Sequence, residues 1–302
     1  MIQVLPLLLA CVEYGLEDPD SEVQQSVVVT EYFDQESLSG LDLLFVVDAT
    51  PSMAEEQDAL SLAANELLNG LLGWQLSWQI GVVSMDLREQ GQLRGRPWVI
   101  TPHAPDPGQA LRLALQVGSS GLPPSAGMEA ALLALDPENT ANLGFRRPDA
   151  ALHVVFVSDG DDQSAAEVDS TFLAWMQAEA EASGRRAVAS AVVGDVPGGC
   201  EGEAGSATPG TRYAAVSSAL GGVVQSVCAG SFSDVASQIS LLGQEGRREF
   251  VLQAEPLPDS LRIFVDGTRA TNWKLEGTTV IFEEAPPAGA DIRADYRIGE
   301  EA

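Results

Sequence analysis

The sequence predicts an α/β fold, a doubly wound and mainly parallel sheet flanked by helices, followed by a small antiparallel β module. Three observations carry this. Continuous apolar runs of strand length recur at 41–47, 78–83, 153–157 and 187–193, and helical patterns lie between them. Runs that are apolar throughout, rather than alternating, are the mark of strands buried on both faces of a parallel sheet. Beyond residue 248 the pattern changes to short strands separated by turn residues.

The chain has 302 residues, enough for one full α/β domain and something smaller. Its 44 acidic against 16 basic residues give a formal net charge of -28. Such a surface repels phosphate backbones and anionic head groups, which argues against nucleic-acid binding, and it attracts cations. Any membrane association would run through a lipid anchor, because no stretch approaches the roughly 20 apolar residues of a membrane span.

Residues 1–11 form an apolar stretch ending in Leu9, Ala10 and Cys11. The pattern is similar to a bacterial lipoprotein signal, in which the cysteine, here Cys11, becomes the lipidated residue. It lacks the preceding Lys or Arg and is short for an export segment. A start assigned too late would account for both departures, and a short strand with a buried free cysteine is the other reading. Residues 12–40 are acidic and unpatterned, which predicts a self-repelling tether, although Val27, Val28 and Val29 could add an edge strand.

The stretch 41–53 follows. Its apolar run stops at Asp48, and Thr50 and Ser52 come at every second position, so the three oxygen-bearing side chains can converge on one side. Carboxylate and hydroxyl oxygens without sulfur or imidazole suit Mg²⁺, Mn²⁺ or Ca²⁺. The same residues are equally those of a helix cap. Residues 54–72 then place Leu60, Ala63, Ala64, Leu67, Leu68 and Leu71 at helical spacing, with Glu55, Glu56 and Asp58 suited to the positive end of the helix dipole.

A second strand ends at Asp86, either a carboxylate supporting the first or a solvated loop acid. Residues 88–107 are rich in Gly, Arg and Pro, and their lone His103 reads as a surface residue. A short helix is expected at 127–135, a loop carrying Arg146 and Arg147 after it, and then the strand opened by His153, a half-buried packing residue. Helix 168–182, strand 187–194, a short helix at 213–220, a strand at 223–227 and a helix from 233 to 246 complete the domain, which spans 41–246. Residues 249–298 read as the β module, with Asp266 and Gly267 as a hairpin turn pair.

Asp48-Ala49-Thr50-Pro51-Ser52 resembles the Asp-x-Ser-x-Ser loop of von Willebrand factor A-type domains, with threonine for the first serine. The strand running into Ser158, Asp159 and Gly160 resembles the family's later metal-site strand. The resemblance implies a Rossmann-like fold and a metal-ion-dependent adhesion site. Asp48, Thr50, Ser52 and Asp159 would then hold Mg²⁺, or Ca²⁺ or Mn²⁺, and an acidic residue of a protein partner would complete the coordination. It also departs from the family: the middle-loop threonine position falls on Pro124, which has no hydroxyl, leaving Ser125, Glu129 or water to serve. Asp161, Asp162 and Ser164 follow in a Ser-Asp-x-x-Asp-x-Ser turn like that of bacterial surface members, where Asp161 or Asp162 would tune the site or bind a second cation.

The expectation is a non-enzymatic, cation-dependent binding or adhesion domain of a bacterial cell-envelope lipoprotein. If Cys11 is lipidated, Cys200 and Cys228 remain as an even pair that fits a disulfide in an exported protein; reduced buried thiols are the alternative. Two other functions stay open: an interaction module with a degenerate metal site, and an aspartate-based phosphoryl-transfer enzyme. The latter needs a lysine beside the aspartate, and the single lysine, Lys274, belongs to the β module.

Overall fold

The computed structural model describes residues 26–35, 40–72, 77–202, 204–229, 232–244, 248–287 and 289–299. Cys11 and most of the expected tether lie outside them. In chain order the elements are β1 (Ser26–Asp34), β2 (Leu41–Val47), α1 (Ala54–Leu62), α2 (Ala64–Leu72), β3 (Trp78–Ser84), α3 (Pro107–Leu115) and α4 (Gly127–Leu135). Next come β4 (Ala151–Val157), α5 (Val168–Ser183), β5 (Ala187–Val193), β6 (Cys200–Gly202), β7 (Gly205–Ala207), α6 (Thr211–Ala219), β8 (Val224–Ser226) and α7 (Ser233–Gln244). The chain ends with β9 (Glu249–Val251), β10 (Arg262–Val265), β11 (Thr268–Arg269), β12 (Trp273–Glu276), β13 (Thr279–Phe282) and β14 (Asp291–Gly299).

The main sheet has the order β3-β2-β4-β5-β8 and is parallel throughout. All seven residues of β2 and of β4 are buried. Side chains alternate along β2: Leu41, Leu43, Phe45 and Val47 pack with Leu60, Leu67, Leu111 and Val235 on one face. Leu44 and Val46 pack with Met128, Phe172 and Val216 on the other. Two apolar layers, one on each face, explain why these strands read as unbroken apolar runs.

The helix expected over 54–72 is divided at Ala63, although Ala63 N–H still donates to Ala59 O at 3.0 Å. Helix α3, hidden among the Gly and Pro of its loop, starts where Asp106 Oδ1 accepts from Gln109 N–H at 2.9 Å and Pro107 takes the first turn, which needs no N–H. Asp42, buried at the start of β2, accepts from Arg146 Nη1 at 3.0 Å and from Arg147 Nε at 2.8 Å. The two arginines of the expected loop are thus a clamp beneath the sheet. His153 is fully buried rather than half-buried, with Nε2 2.8 Å from Ser190 Oγ.

The second module is two antiparallel sheets, β1-β14-β10-β11 and β12-β13-β9, around a shared apolar core. This corrects the tether over 12–40: the edge strand that Val27, Val28 and Val29 allowed is β1, which runs over 26–34 and pairs along its full length with β14. Its acids hide the rest of the strand from the sequence. Glu31 points inward, where its carboxylate accepts from the Tyr296 hydroxyl and from Gln253 N–H at 3.0 Å, so a charged residue occupies a core-facing position. Among the described residues no helix is long and apolar enough to cross a membrane.

Candidate metal centre

From β2 the chain moves to β3 on one side and later to β4 on the other, so the loops leaving the carboxyl ends of β2 and β4 diverge and open a crevice. That switch point is where ligands enter open parallel sheets. Asp48 leaves β2 there and Asp159 lies two residues beyond β4. Asp48 N–H donates to Val157 O at 2.9 Å, which fixes the two strand ends together.

Around this crevice the first loop curls on itself. Asp48 Oδ1 accepts from Thr50 N–H at 2.8 Å, and its Oδ2 accepts from the Ser158 hydroxyl at 2.7 Å. Thr50 Oγ1 stands 3.3 Å from Ser52 Oγ. The Asp159 carboxylate lies across the crevice from this loop: burial raises its pKa, the Ser52 hydroxyl opposes this and the Asp48 charge adds to it. Helix-cap geometry accounts for less of this, since neither Thr50 nor Met53 makes a side-chain cap hydrogen bond at the helical turns they precede. The structure therefore brings Asp48, Thr50, Ser52 and Asp159 to one rim.

The other candidates are engaged elsewhere. Ser125 directs its hydroxyl to Met85 Sδ at 3.5 Å, so the middle loop offers no hydroxyl at Pro124 or beside it. Asp86 caps a short helical turn and is held by Arg88, which keeps its carboxyl down at about 2; Leu122 N–H donates to it at 3.4 Å. Asp161 Oδ1 accepts from Arg212 N–H at 2.8 Å, on the first turn of α6. Asp162 accepts from Met128 N–H and Ser164 N–H, both at 3.1 Å, and pairs with Arg212 at 3.3 Å. Glu129 joins through its backbone, whose N–H donates to Ser164 Oγ at 3.3 Å. These acids fasten the middle loop, the turn after β4 and α6 to each other, a stabilising function that satisfies helix-end donors.

Four residues of this framework carry no motif signal. Gln57 Nε2 donates to Asp48 O at 2.8 Å and to Gly118 O at 2.9 Å, joining the first loop to the middle one. Arg212 Nη1 donates to Asp162 O at 2.7 Å and Ser164 O at 2.6 Å, while its other nitrogens hold Asp169. Tyr213 OH accepts from Gly127 N–H at 3.1 Å, and burial with the nearby Asp162 pushes its pKa well above the ordinary range. Glu56, assigned from sequence to the helix dipole, is buried beside the crevice; burial raises its pKa, and Asp159 and Asp48 contribute by charge repulsion. Its place one turn beyond Ser52 was the available signal.

The donor set fits a hard divalent cation: two carboxylates and two hydroxyls, with one further buried carboxylate whose Oε2 has no hydrogen-bond partner. Among the described residues no three His, Cys, Asp or Glu side chains stand close enough to hold an ion by themselves, so the hydroxyls are indispensable to any coordination here. Lys274 lies on β12 and pairs with Glu276 at 2.6 Å. Cys200 and Cys228 form a disulfide with Cα atoms 6.0 Å apart, tying β6 to the turn after β8.

No protein-family model and no curated protein sequence matches the chain. Among solved structures it is similar to proximal thread matrix protein 1 of the mussel byssus, at 15% identity and a TM-score of 0.41 over 70% of this chain and 49% of that one. A structure of the same mussel protein described as having a zinc-occupied MIDAS motif matches at 14% identity and 0.42, over 72% and 48%. The pilus adhesin SpaC from Lactobacillus rhamnosus GG matches at 11% identity and 0.40, over 91% of this chain and 42% of its own. The chain thus spans about half or less of the length of these proteins.

Proposed function

We propose that the α/β domain is a non-enzymatic, divalent-cation-dependent protein-binding module of the von Willebrand A type. Asp48, Thr50, Ser52 and Asp159 hold Mg²⁺, or Ca²⁺ or Mn²⁺, and the ion supplies an electrophilic point that an acidic side chain of a partner protein completes. The chain's own residues orient and position. Asp48 fixes the first loop through Thr50 N–H, Ser158 holds the second Asp48 oxygen, and Gln57 keeps the middle loop against them.

The observation that supports this reading best is the hydrogen bond of the Ser158 hydroxyl to Asp48 Oδ2 at 2.7 Å across the switch point, which unites two motifs over 100 residues apart in sequence. Display on a bacterial envelope protein through a lipidated Cys11 is part of the same proposal. Mass spectrometry of the membrane fraction tests it, and an unmodified Cys11 removes the anchor.

Calorimetric titration with Mg²⁺, Mn²⁺ and Ca²⁺ tests the site. The wild-type protein should give saturable heat with at least one ion and Asp48→Ala none. Equal silence from both would favour the second reading, an interaction module with a degenerate site, which the Ser125 hydroxyl turned to Met85 supports. Phosphatase activity in Mg²⁺ that Asp48→Ala abolishes would instead restore the phosphoryl-transfer reading.

A further inference from the structure

Glu56 remains unexplained by the ligand set above. It sits in the first turn of α1, directly after the short helical turn that carries Ser52. Only 2% of its surface is exposed, and its Oε2 is buried without a hydrogen-bond partner. Hairpin β6–β7 closes over the carboxylate: a Cβ at Gly205 would stand 2.1 Å from Glu56 Oε1 and 3.5 Å from Oε2. The carboxylates whose charge bears on it are Asp159 first, then Glu55 and Asp48. A buried carboxylate oxygen with no donor is costly unless a cation or a proton meets it.

The site has a matching deficit. Pro124 offers no hydroxyl, and Ser125 gives its own to Met85. Glu56 does not join Asp48 and Asp159 in one inner sphere, since no three such side chains among the described residues are close enough to hold an ion. A carboxylate too far away to coordinate directly can still act on an ion through one bound water.

Resting on the proposed cation site, we infer that Glu56 is an outer-sphere ligand: its free Oε2 accepts a hydrogen bond from a water on the divalent cation held by Asp48 and Asp159. Outer-sphere partners orient bound groups and contribute charge, and their loss weakens metal binding by ~10- to 100-fold. Two carboxylates balance a divalent ion; the third makes the loaded site anionic, which strengthens cation retention where Pro124 carries no hydroxyl.

The test compares wild type, Glu56→Gln and Asp48→Ala by calorimetry and thermal melting, with Mg²⁺, Mn²⁺ and Ca²⁺ as probes. Glu56→Gln should still bind, with affinity lowered ~10- to 100-fold, and should lose part of the ion-induced rise in Tm. Without ion it should melt no lower than wild type, because an unpaired buried charge has gone; a purely structural Glu56 would give a lower ion-free Tm and unchanged affinity. Wild-type affinity in Glu56→Gln overturns this inference and leaves the cation site standing. Absence of heat from the wild-type protein with all three ions overturns both.

Discussion

His153 gives a sharp test of how the sheet interior is built. The imidazole is wholly buried on β4, its Nε2 2.8 Å from Ser190 Oγ, and its Nδ1 has no partner. Ser190 Oγ in turn accepts from Val223 N–H at 3.1 Å. Burial first, then the charge of Arg186, lowers the His153 pKa from 6.5 to about 3. A base held neutral in the native state takes up its proton only on unfolding, so the unfolded chain binds more protons below the ordinary pKa. Stability from this residue is complete above that value and is lost as the pH falls toward the native one. Between about pH 7.5 and about pH 5 the loss is about 2 kcal/mol, from roughly 1.5 pH units at 1.36 kcal/mol each.

Asp42, Glu56 and Asp159 act with the opposite sign. Their pKa values are raised in the native state, so acidification favours folding at those positions. The useful quantity is therefore the difference between wild type and His153→Gln, whose amide can still meet the Ser190 hydroxyl. Urea unfolding of both proteins at the two pH values should show the wild type losing about 2 kcal/mol more than the variant. Parallel pH dependence would mean that the buried imidazole charges freely in the native state, and the argument from burial would be wrong.

Asp42→Ala should destabilise the fold by about 3–5 kcal/mol, since Arg146 and Arg147 lose the oxygens that both clasp; chemical denaturation measures it, and a cost below about 1 kcal/mol would refute the clamp. Replacing Cys200 and Cys228 by serine should cost roughly 3.5 kcal/mol in the chain-entropy model for a separation of 28 residues, read as a lower midpoint that matches reduced wild type. A variant as stable as the oxidised protein would show that the bridge constrains nothing in the unfolded chain.

Much of the architecture was legible because its physics is local. Strands 41–47 and 151–157 are buried along their whole length since two helical layers cover them, and apart from Asp42 and His153 that burial is written directly into composition. Asp48, Thr50 and Ser52 were singled out by their place after such a run, and Asp159 by the resemblance of its strand to the family's. Strand β1 was legible only as an edge strand at Val27, Val28 and Val29, because Glu31 faces the core of the second module, where the Tyr296 hydroxyl, 265 residues away, and Gln253 N–H meet it. Helix α3 and hairpin β6–β7 were hidden by the Gly and Pro that their turns require.

Sequence alone set the alternation of strands and helices, the oxygen chemistry of the first loop and the absence of a hydroxyl at Pro124. Tertiary structure decided which groups meet: Ser158 reaches Asp48, Asp86 goes to Arg88, Asp162 to Arg212, and Glu56 is buried beside the crevice. The reason is physical. A carboxylate's local sequence states only that it is charged, whereas its role depends on which donor or neighbouring charge the fold places within about 4 Å of it, where electrostatic interactions are strong enough to decide.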